Sequence, residues 1–216
     1  DGDGLGDGSE VNNYGTQPGN NDTDGDGLND GNEITEGTNP NDTDSDDDGL
    51  NDGSEVNIFG SNPLEKDTDS DGLEDYNETA VHNTSPTNTD TDGDLIGDYD
   101  EINDYGTNPT EEDTDGDDLT DGSEILTHTT NPLLADTDED GLNDGLEISI
   151  NINPLSTDSD GDGLNDTWEY VRGLEGYNYS PGNNDTDEDE TLDGDEDLDS
   201  DGLTNLEEIN GYGTNP

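Results

Sequence analysis

The sequence has little of what usually holds a folded domain together. It contains no cysteine, one tryptophan and one phenylalanine, and only 20% of its 216 residues are hydrophobic. The lack of cysteine excludes disulfide support, and with only two histidines it also argues against zinc or copper sites. So few apolar residues cannot bury enough surface to offset the conformational entropy lost on folding. Composition alone therefore predicts disorder, unless something neutralises the acidic side chains.

Positive charge is nearly absent as well. The chain has two basic residues, Lys66 and Arg172, and 64 acidic residues, which gives a formal net charge of −62. Such a chain is repelled by nucleic acid and by anionic membranes, so neither is expected as a partner. It also lacks an apolar run of transmembrane length, and we expect no direct membrane insertion. Cations are the expected partners.

What the sequence does have is a repeat, marked by proline. The first seven prolines are spaced by 22 or 23 residues, and each of the first eight is followed four residues later by Asp. A disordered acidic tail would show blocks of charge and would not keep this register. The repeats predicted from this register are 1–18, 19–40, 41–63, 64–86, 87–109, 110–132, 133–154, 155–181 and 182–216.

Each repeat carries a twelve-residue string that matches the oxygen ligands of a calcium loop. In D-T-D-G-D-G-L-N-D-G-N-E, residues 22–33, carboxylates occupy loop positions 1, 3, 5, 9 and 12, and Gly27 at position 6 allows a sharp turn. The carbonyl of position 7 supplies a further oxygen. Ca²⁺ takes six to eight such ligands, whereas Mg²⁺ keeps more of its waters. The spacing therefore predicts Ca²⁺ as the cofactor.

The predicted ligands are the residues at the same positions of every loop. They are Asp22, Asp44, Asp67, Asp90, Asp113, Asp136, Asp158, Asp185 and Asp197 at position 1; Asp1, Asp24, Asp46, Asp69, Asp92, Asp115, Asp138, Asp160, Asp187 and Asp199 at position 3; Asp3, Asp26, Asp48, Asp71, Asp94, Asp117, Asp140, Asp162, Asp189 and Asp201 at position 5; the carbonyls of Leu28, Leu50, Leu73, Ile96, Leu119, Leu142, Leu164 and Leu203 at position 7; Asp7, Asp30, Asp52, Asp75, Asp98, Asp121, Asp144, Asp166, Asp193 and Asn205 at position 9; and Glu10, Glu33, Glu55, Glu78, Glu101, Glu124, Glu147, Glu169, Glu196 and Glu208 at position 12.

The loops are not equivalent. Leu95 and Asp118 replace the position 6 glycine in two of them, which predicts an altered or strained turn there. Loop 185–196 has Glu190 and Thr191 at positions 6 and 7 and is predicted to be the weakest. Five carboxylates around one dication leave a net negative charge, so we expect more than one Ca²⁺ per repeat.

Residues from position 9 onward have the pattern of a short helix. In D-G-S-E-V-N-I-F-G from Asp52, acidic residues fill the first turn and Gly60 suits the C-cap. An apolar residue follows the Glu in seven repeats, and an aromatic residue or His lies three residues further on in six. With the position 7 residue these form an apolar set that we expect to be buried against neighbouring repeats. His82 and His128 fill the aromatic slot and are interpreted as packing residues. No nucleophile motif is present, and we predict that the protein is not an enzyme.

The strings D-T-D-G-D-G-L-N-D-G-N-E-I and G-T-N-P resemble thrombospondin type 3 repeats of the prokaryotic type, and residues 199–216 resemble them especially. The resemblance covers the whole chain. It implies an elongated, calcium-stabilised array of about ten Asp-rich loops with a 22–23 residue period, little regular secondary structure, and a place on secreted or cell-surface proteins. This chain lacks the cysteines of the animal members, so its stability must rest on metal.

Three functions remain open from the sequence. The leading hypothesis is a rigid extracellular spacer or filament subunit, since the phase of both ends would allow continuation or head-to-tail self-assembly. A second is an adhesin segment that uses the aromatic insert 168–181, although this insert has an alternative role in packing. A third is a calcium reservoir or mineral-binding protein. N-x-[ST] sequons would permit glycosylation and occur at Asn21, Asn41, Asn77, Asn83, Asn165, Asn178 and Asn184.

Overall fold

The computed structural model describes residues 2–213, and in that range it contains no β-strand. Short helices recur once per repeat and begin at loop position 9, as the sequence predicts. The α-helices are α1 (Asp7–Ser9), α2 (Asp30–Glu36), α3 (Asp52–Ser54), α4 (Asp75–Asn77), α5 (Asp98–Asp100), α6 (Asp121–Ser123), α7 (Asp144–Ile150) and α8 (Asp166–Glu175). A 3₁₀ turn, Asp193–Asp195, takes the helix position in the loop that begins at Asp185. The predicted array of Asp-rich loops with short helical turns is confirmed.

The chain divides into two compact units, residues 1–112 and 113–216. Within each unit the position 5 aspartate ties a loop to the loop that follows it. Asp26 Oδ2 accepts a hydrogen bond from Gly53 N at 2.6 Å, and Asp117 Oδ2 accepts one from Gly145 N at 2.9 Å. A Cβ added at Gly53 would lie 2.5 Å from the backbone oxygen of Asp26. Glycine at this position therefore permits the close approach of neighbouring loops.

The helices begin and end by standard capping. Asn29 has extended backbone angles and accepts from Asn32 N, which satisfies one free N–H of the first turn of α2. Gly37 ends α2 in the left-handed conformation with φ of 96°. Gly60 does the same after α3, with φ of 77°, as predicted for this residue.

An extra residue in the longer repeats is absorbed as a π-helical turn. In the 22-residue repeat, Gly37 N donates to Glu33 O four residues earlier. In 23-residue repeats the cap lies one residue further on, and Gly60 N donates to Glu55 O five residues earlier. The wide turns are Glu10–Tyr14, Glu55–Phe59, Glu78–His82, Glu101–Tyr105, Glu124–His128 and Glu207–Tyr212. The insertion therefore leaves the loop phase unchanged.

Acidic residues form the largest group among the buried residues. The position 7 side chains Leu28, Leu73, Ile96, Leu142 and Leu164 form the small apolar core, together with Tyr179. In the aromatic slot, in contrast, the four Tyr and Phe residues are exposed and the two histidines are half-buried. Phe59 is 38% exposed and Tyr212 70%, and Val11 after the first glutamate is 62% exposed. The expectation that the whole apolar set is buried is therefore wrong, because buried carboxylates occupy the space between loops.

Among the described residues, no helix combines the length and the apolar character needed to cross a membrane.

Candidate metal centre

The first aspartate of each loop shapes the turn. Asp22 accepts from Gly25 N at 2.7 Å and from Gly27 N at 3.1 Å, and Gly27 has φ of 99°. Leu95 and Asp118 take the same position with φ of 88° and 78°. Their amides still donate to the position 1 carboxylates Asp90 and Asp113. The turn is thus kept, and the non-glycine residues adopt the strained left-handed conformation.

Positions 1, 3 and 5 converge on one point. Oxygens of Asp22, Asp24 and Asp26 lie within 4.8 Å of one another. The same grouping occurs for Asp44, Asp46 and Asp48, for Asp67, Asp69 and Asp71, and for Asp90, Asp92 and Asp94. At position 3 at least one carboxylate oxygen is buried without a hydrogen-bond partner in Asp24, Asp46, Asp69, Asp92, Asp115, Asp138 and Asp160. We call this triad with its position 12 glutamate the loop centre.

Position 9 faces the preceding loop. Asp30 is fully buried, and its two oxygens accept from Thr23 N and Thr23 Oγ1, each at 2.7 Å. An oxygen of Asp30 also lies within 4.8 Å of oxygens of Asp3 and Glu10. A second cluster therefore combines positions 5 and 12 of one loop with position 9 of the next. We call it the junction centre.

Apart from Glu196, the position 12 glutamates are buried carboxylates with at least one unpaired oxygen each. Glu33, Glu147 and Glu169 have no hydrogen-bond partner on either carboxylate oxygen. Burial, followed by repulsion from neighbouring aspartates, raises the pKa of Glu33 and Glu147 to about 8 and that of Glu169 to about 9. Burial likewise raises the pKa of Asp138 and Asp160 at position 3 to about 6. Each shift reports the cost of holding a carboxylate charge in this environment.

These groups fit calcium. The unpaired buried atoms are carboxylate oxygens, the donors that a hard cation prefers, and the sequence contains no thiolate to favour a softer metal. A buried polar atom without a partner is costly, and a dication would satisfy several at once. The position 1, 3 and 5 carboxylates named above are therefore brought together, and Asp30 is brought beside Asp3 and Glu10, although the assignment of each residue as a ligand stays a prediction. Asp1 lies outside the described residues.

Sequence reasoning missed a hydroxyl that supports the glutamate. Thr107 and Thr130, each two residues before a proline, are buried and donate to Glu101 Oε1 and Glu124 Oε1, both at 3.1 Å. Ser61 and Thr84 are placed in the same way. The signal was visible in the recurring G-T-N-P string, in which the threonine lies two residues before the proline.

Loop 185–196 departs from the regular arrangement. Asp187 and Asp189 are exposed, whereas their counterparts at positions 3 and 5 are at least half-buried in the seven loops from 22–33 to 158–169 and are exposed again in loop 197–208. Glu196 Oε2 accepts a hydrogen bond from the hydroxyl of Tyr179 at 3.1 Å. The loop that the sequence ranked weakest is therefore one of two loops whose position 3 and position 5 carboxylates are open to solvent.

A search of curated proteins gives no match. Two solved structures share short segments with the chain: a biofilm associated protein, B domain, is 42% identical over 21% of this chain and 11% of its own (TM-score 0.21). The BSP domain of a biofilm associated protein is 42% identical over 20% and 7% (TM-score 0.20), so both matches span a small fraction of those proteins.

The profile of the bacterial TSP3 repeat, a structural repeat that binds calcium, matches residues 1–19, 22–43, 44–66, 136–157, 158–170 and 197–216, more than half of the chain. These segments contain four of the five loops that combine all five acidic residues with glycine at position 6 and leucine at position 7. The chain belongs to the bacterial TSP3 repeat family.

Proposed function

We propose that this protein is a calcium-stabilised spacer that works outside the cell. The observation that carries the proposal is the set of buried carboxylate oxygens without partners, which recurs in phase along the chain. Such a fold is stable only where calcium stays abundant, and extracellular calcium is millimolar. The scaffold would be filled permanently and would not act as a sensor.

The proposed binding mode uses both centres of each repeat that has carboxylates at all of these positions. The loop centre draws on positions 1, 3, 5 and 12, and the junction centre draws on positions 5 and 12 together with position 9 of the next loop. Sharing of positions 5 and 12 by two dications would offset the repulsion that raises the pKa of Glu33. An ion at the junction would also stiffen the connection between adjacent loops, which is the property a spacer needs.

The aromatic insert 168–181 gives less support to adhesion. The rings of Trp168 and Tyr179 pack edge-to-face at 5.1 Å, and the guanidinium carbon of Arg172 lies 5.3 Å from the ring centre of Trp168. These rings are engaged in packing against each other. We therefore favour the spacer over the adhesin segment.

Small-angle scattering of the full chain during a calcium titration tests the spacer. We expect a maximum dimension that becomes fixed at millimolar calcium and a change to the profile of an expanded coil when the ion is removed. A scattering profile that is the same with and without calcium would contradict the proposal. Calcium binding without any change in dimensions would favour a reservoir function.

A further inference from the structure

The junction between loops 185–196 and 197–208 is built from different chemistry. The regular junction centre needs a carboxylate at position 9 of the second loop, but this position is held by Asn205. Asn205 is fully buried, and Tyr179 is only 6% exposed. The position 12 residue, Glu196, is bonded to the Tyr179 hydroxyl, whereas Glu169 of the preceding loop has no partner on either oxygen.

Hydrogen bonds fix the orientation of the asparagine amide. Asn205 Nδ2 donates to the backbone oxygen of Asp193 at 2.7 Å, and Asn205 Oδ1 accepts from Leu198 N at 3.4 Å. The same Nδ2 donates to the Tyr179 hydroxyl at 2.8 Å, and that hydroxyl donates to Glu196 Oε2 at 3.1 Å. The donors thus run in one direction, from amide to phenol to carboxylate.

The position of Tyr179 in its repeat explains how its hydroxyl reaches Glu196 and Asn205. It lies two residues before Pro181, where Thr107 and Thr130 lie before their prolines. Those short hydroxyls reach the glutamate of their own repeat, whereas the longer tyrosine reaches the next loop. Packing against Trp168 holds the ring, and a Cβ at Gly173 in α8 would lie 2.9 Å from the Tyr179 backbone oxygen.

We propose that Tyr179, Glu196 and Asn205 form a cation-free junction in which a phenol and an amide take the place of the calcium ion of the regular junction centre. The charges at this junction support the proposal. Asn205 stands where the other loops have Asp, so one carboxylate is missing, and the Tyr179 hydroxyl donates a hydrogen bond to the carboxylate of Glu196. A cation is then no longer needed to relieve repulsion. The comparison with a calcium-bound junction rests on the proposed function. The consequence is a joint that tolerates low calcium and keeps loop 197–208 attached to α8 when regular loops have opened.

Hydrogen exchange on the full chain after addition of a calcium chelator tests this. We expect amides of 193–205 to exchange about tenfold more slowly than those of 136–147. Tyr179→Phe should remove that difference, whereas the matched control Tyr177→Phe, which changes a ring that is 47% exposed, should keep it. Equally fast exchange of both segments in the unaltered chain, or no effect of Tyr179→Phe, would overturn the proposal.

Two outcomes separate this proposal from the proposed function. If both segments stay protected in chelator, calcium-dependent folding is wrong, and the effect of Tyr179→Phe on 193–205 still decides whether the junction exists. In a second arm, native mass spectrometry compares Tyr179→Phe alone with Tyr179→Phe combined with Asn205→Asp. The combined variant should bind an additional calcium ion, and an unchanged ion count would show that this junction is not a replaced calcium site.

Discussion

Loop 136–147 and loop 185–196 share five acidic positions but handle their charges differently. In the first, Glu147 is fully buried with two unpaired carboxylate oxygens, and Leu142 is 5% exposed. In the second, Thr191 replaces the leucine, the aspartates at positions 3 and 5 are exposed, and Glu196 is bonded to a tyrosine hydroxyl. From this comparison we expect that the stability of a loop depends on calcium when its position 12 carboxylate is buried, and that the number of acidic residues matters less.

Calcium removal should produce the largest difference in stability between the regular loops and residues 185–208. At neutral pH the chelated chain should lose protease resistance and helical circular dichroism in the regular loops, because their buried carboxylates would repel one another without an ion. Limited proteolysis read by mass spectrometry should find early cuts within 113–169. Early cuts confined to 185–208 would contradict the prediction that the regular loops depend more strongly on calcium.

Acid should partly replace calcium in the regular loops. In the calcium-free fold the pKa of Glu147 is about 8, against an ordinary value of 4.5. Because the folded pKa is raised, protonation stabilises the fold. This contribution is fully present below about pH 4.5 and is lost as the pH rises through about 8.

Calcium-stripped protein should therefore show more helical circular dichroism near pH 4.5 than near pH 8. Calcium-loaded protein at the higher pH serves as the reference for the folded signal. A calcium-free chain that loses helical signal on acidification would contradict the assigned burial of these glutamates.

Replacing the position 12 glutamate of one loop at a time tests whether the buried glutamate of loop 136–147 matters more than the glutamate of loop 185–196. Glu147→Ala should open its repeat and destabilise it by roughly 3 kcal/mol or more, the scale of a broken buried ion pair. Glu196→Ala in the other loop should cost about 1 kcal/mol, the scale of one exchanged hydrogen bond. Local hydrogen exchange in millimolar calcium measures both, and the reverse order would remove the distinction between the loops.

The smallest effect concerns the threonine that supports the glutamate. Thr130→Val removes the donor to Glu124 Oε1 while it keeps the shape of the side chain. We expect a loss of about 1–2 kcal/mol in stability in calcium, since the acceptor is a buried carboxylate. The control is Thr127→Val, three residues away and exposed, which should be neutral. Equal effects of both changes would show that the hydroxyl does not support the glutamate.

Much of the fold followed from the spacing of the sequence. The helix starts at position 9 and the cap at Gly60 were predictable because Asp, Asn and Gly have strong local preferences at these positions. The π-turns were not, since they depend on how a one-residue insertion is absorbed between fixed loops. The placement of Asp30 beside Asp3 and Glu10 was also missed, because a ligand pattern within one loop does not reveal sharing between loops. Tyr179 was grouped with the aromatic insert, and only the structure connects it to Glu196.

The number of calcium ions held by the native chain tests the central claim most directly. The sequence contains nine full-length loops from Asp22 to Glu208. If the loop centre and the junction centre each hold an ion, native mass spectrometry of the calcium-loaded protein should count more ions than loops. A count that stays well below the number of loops, in a protein that remains folded, would contradict the account, because the buried carboxylates would then be held by something other than calcium.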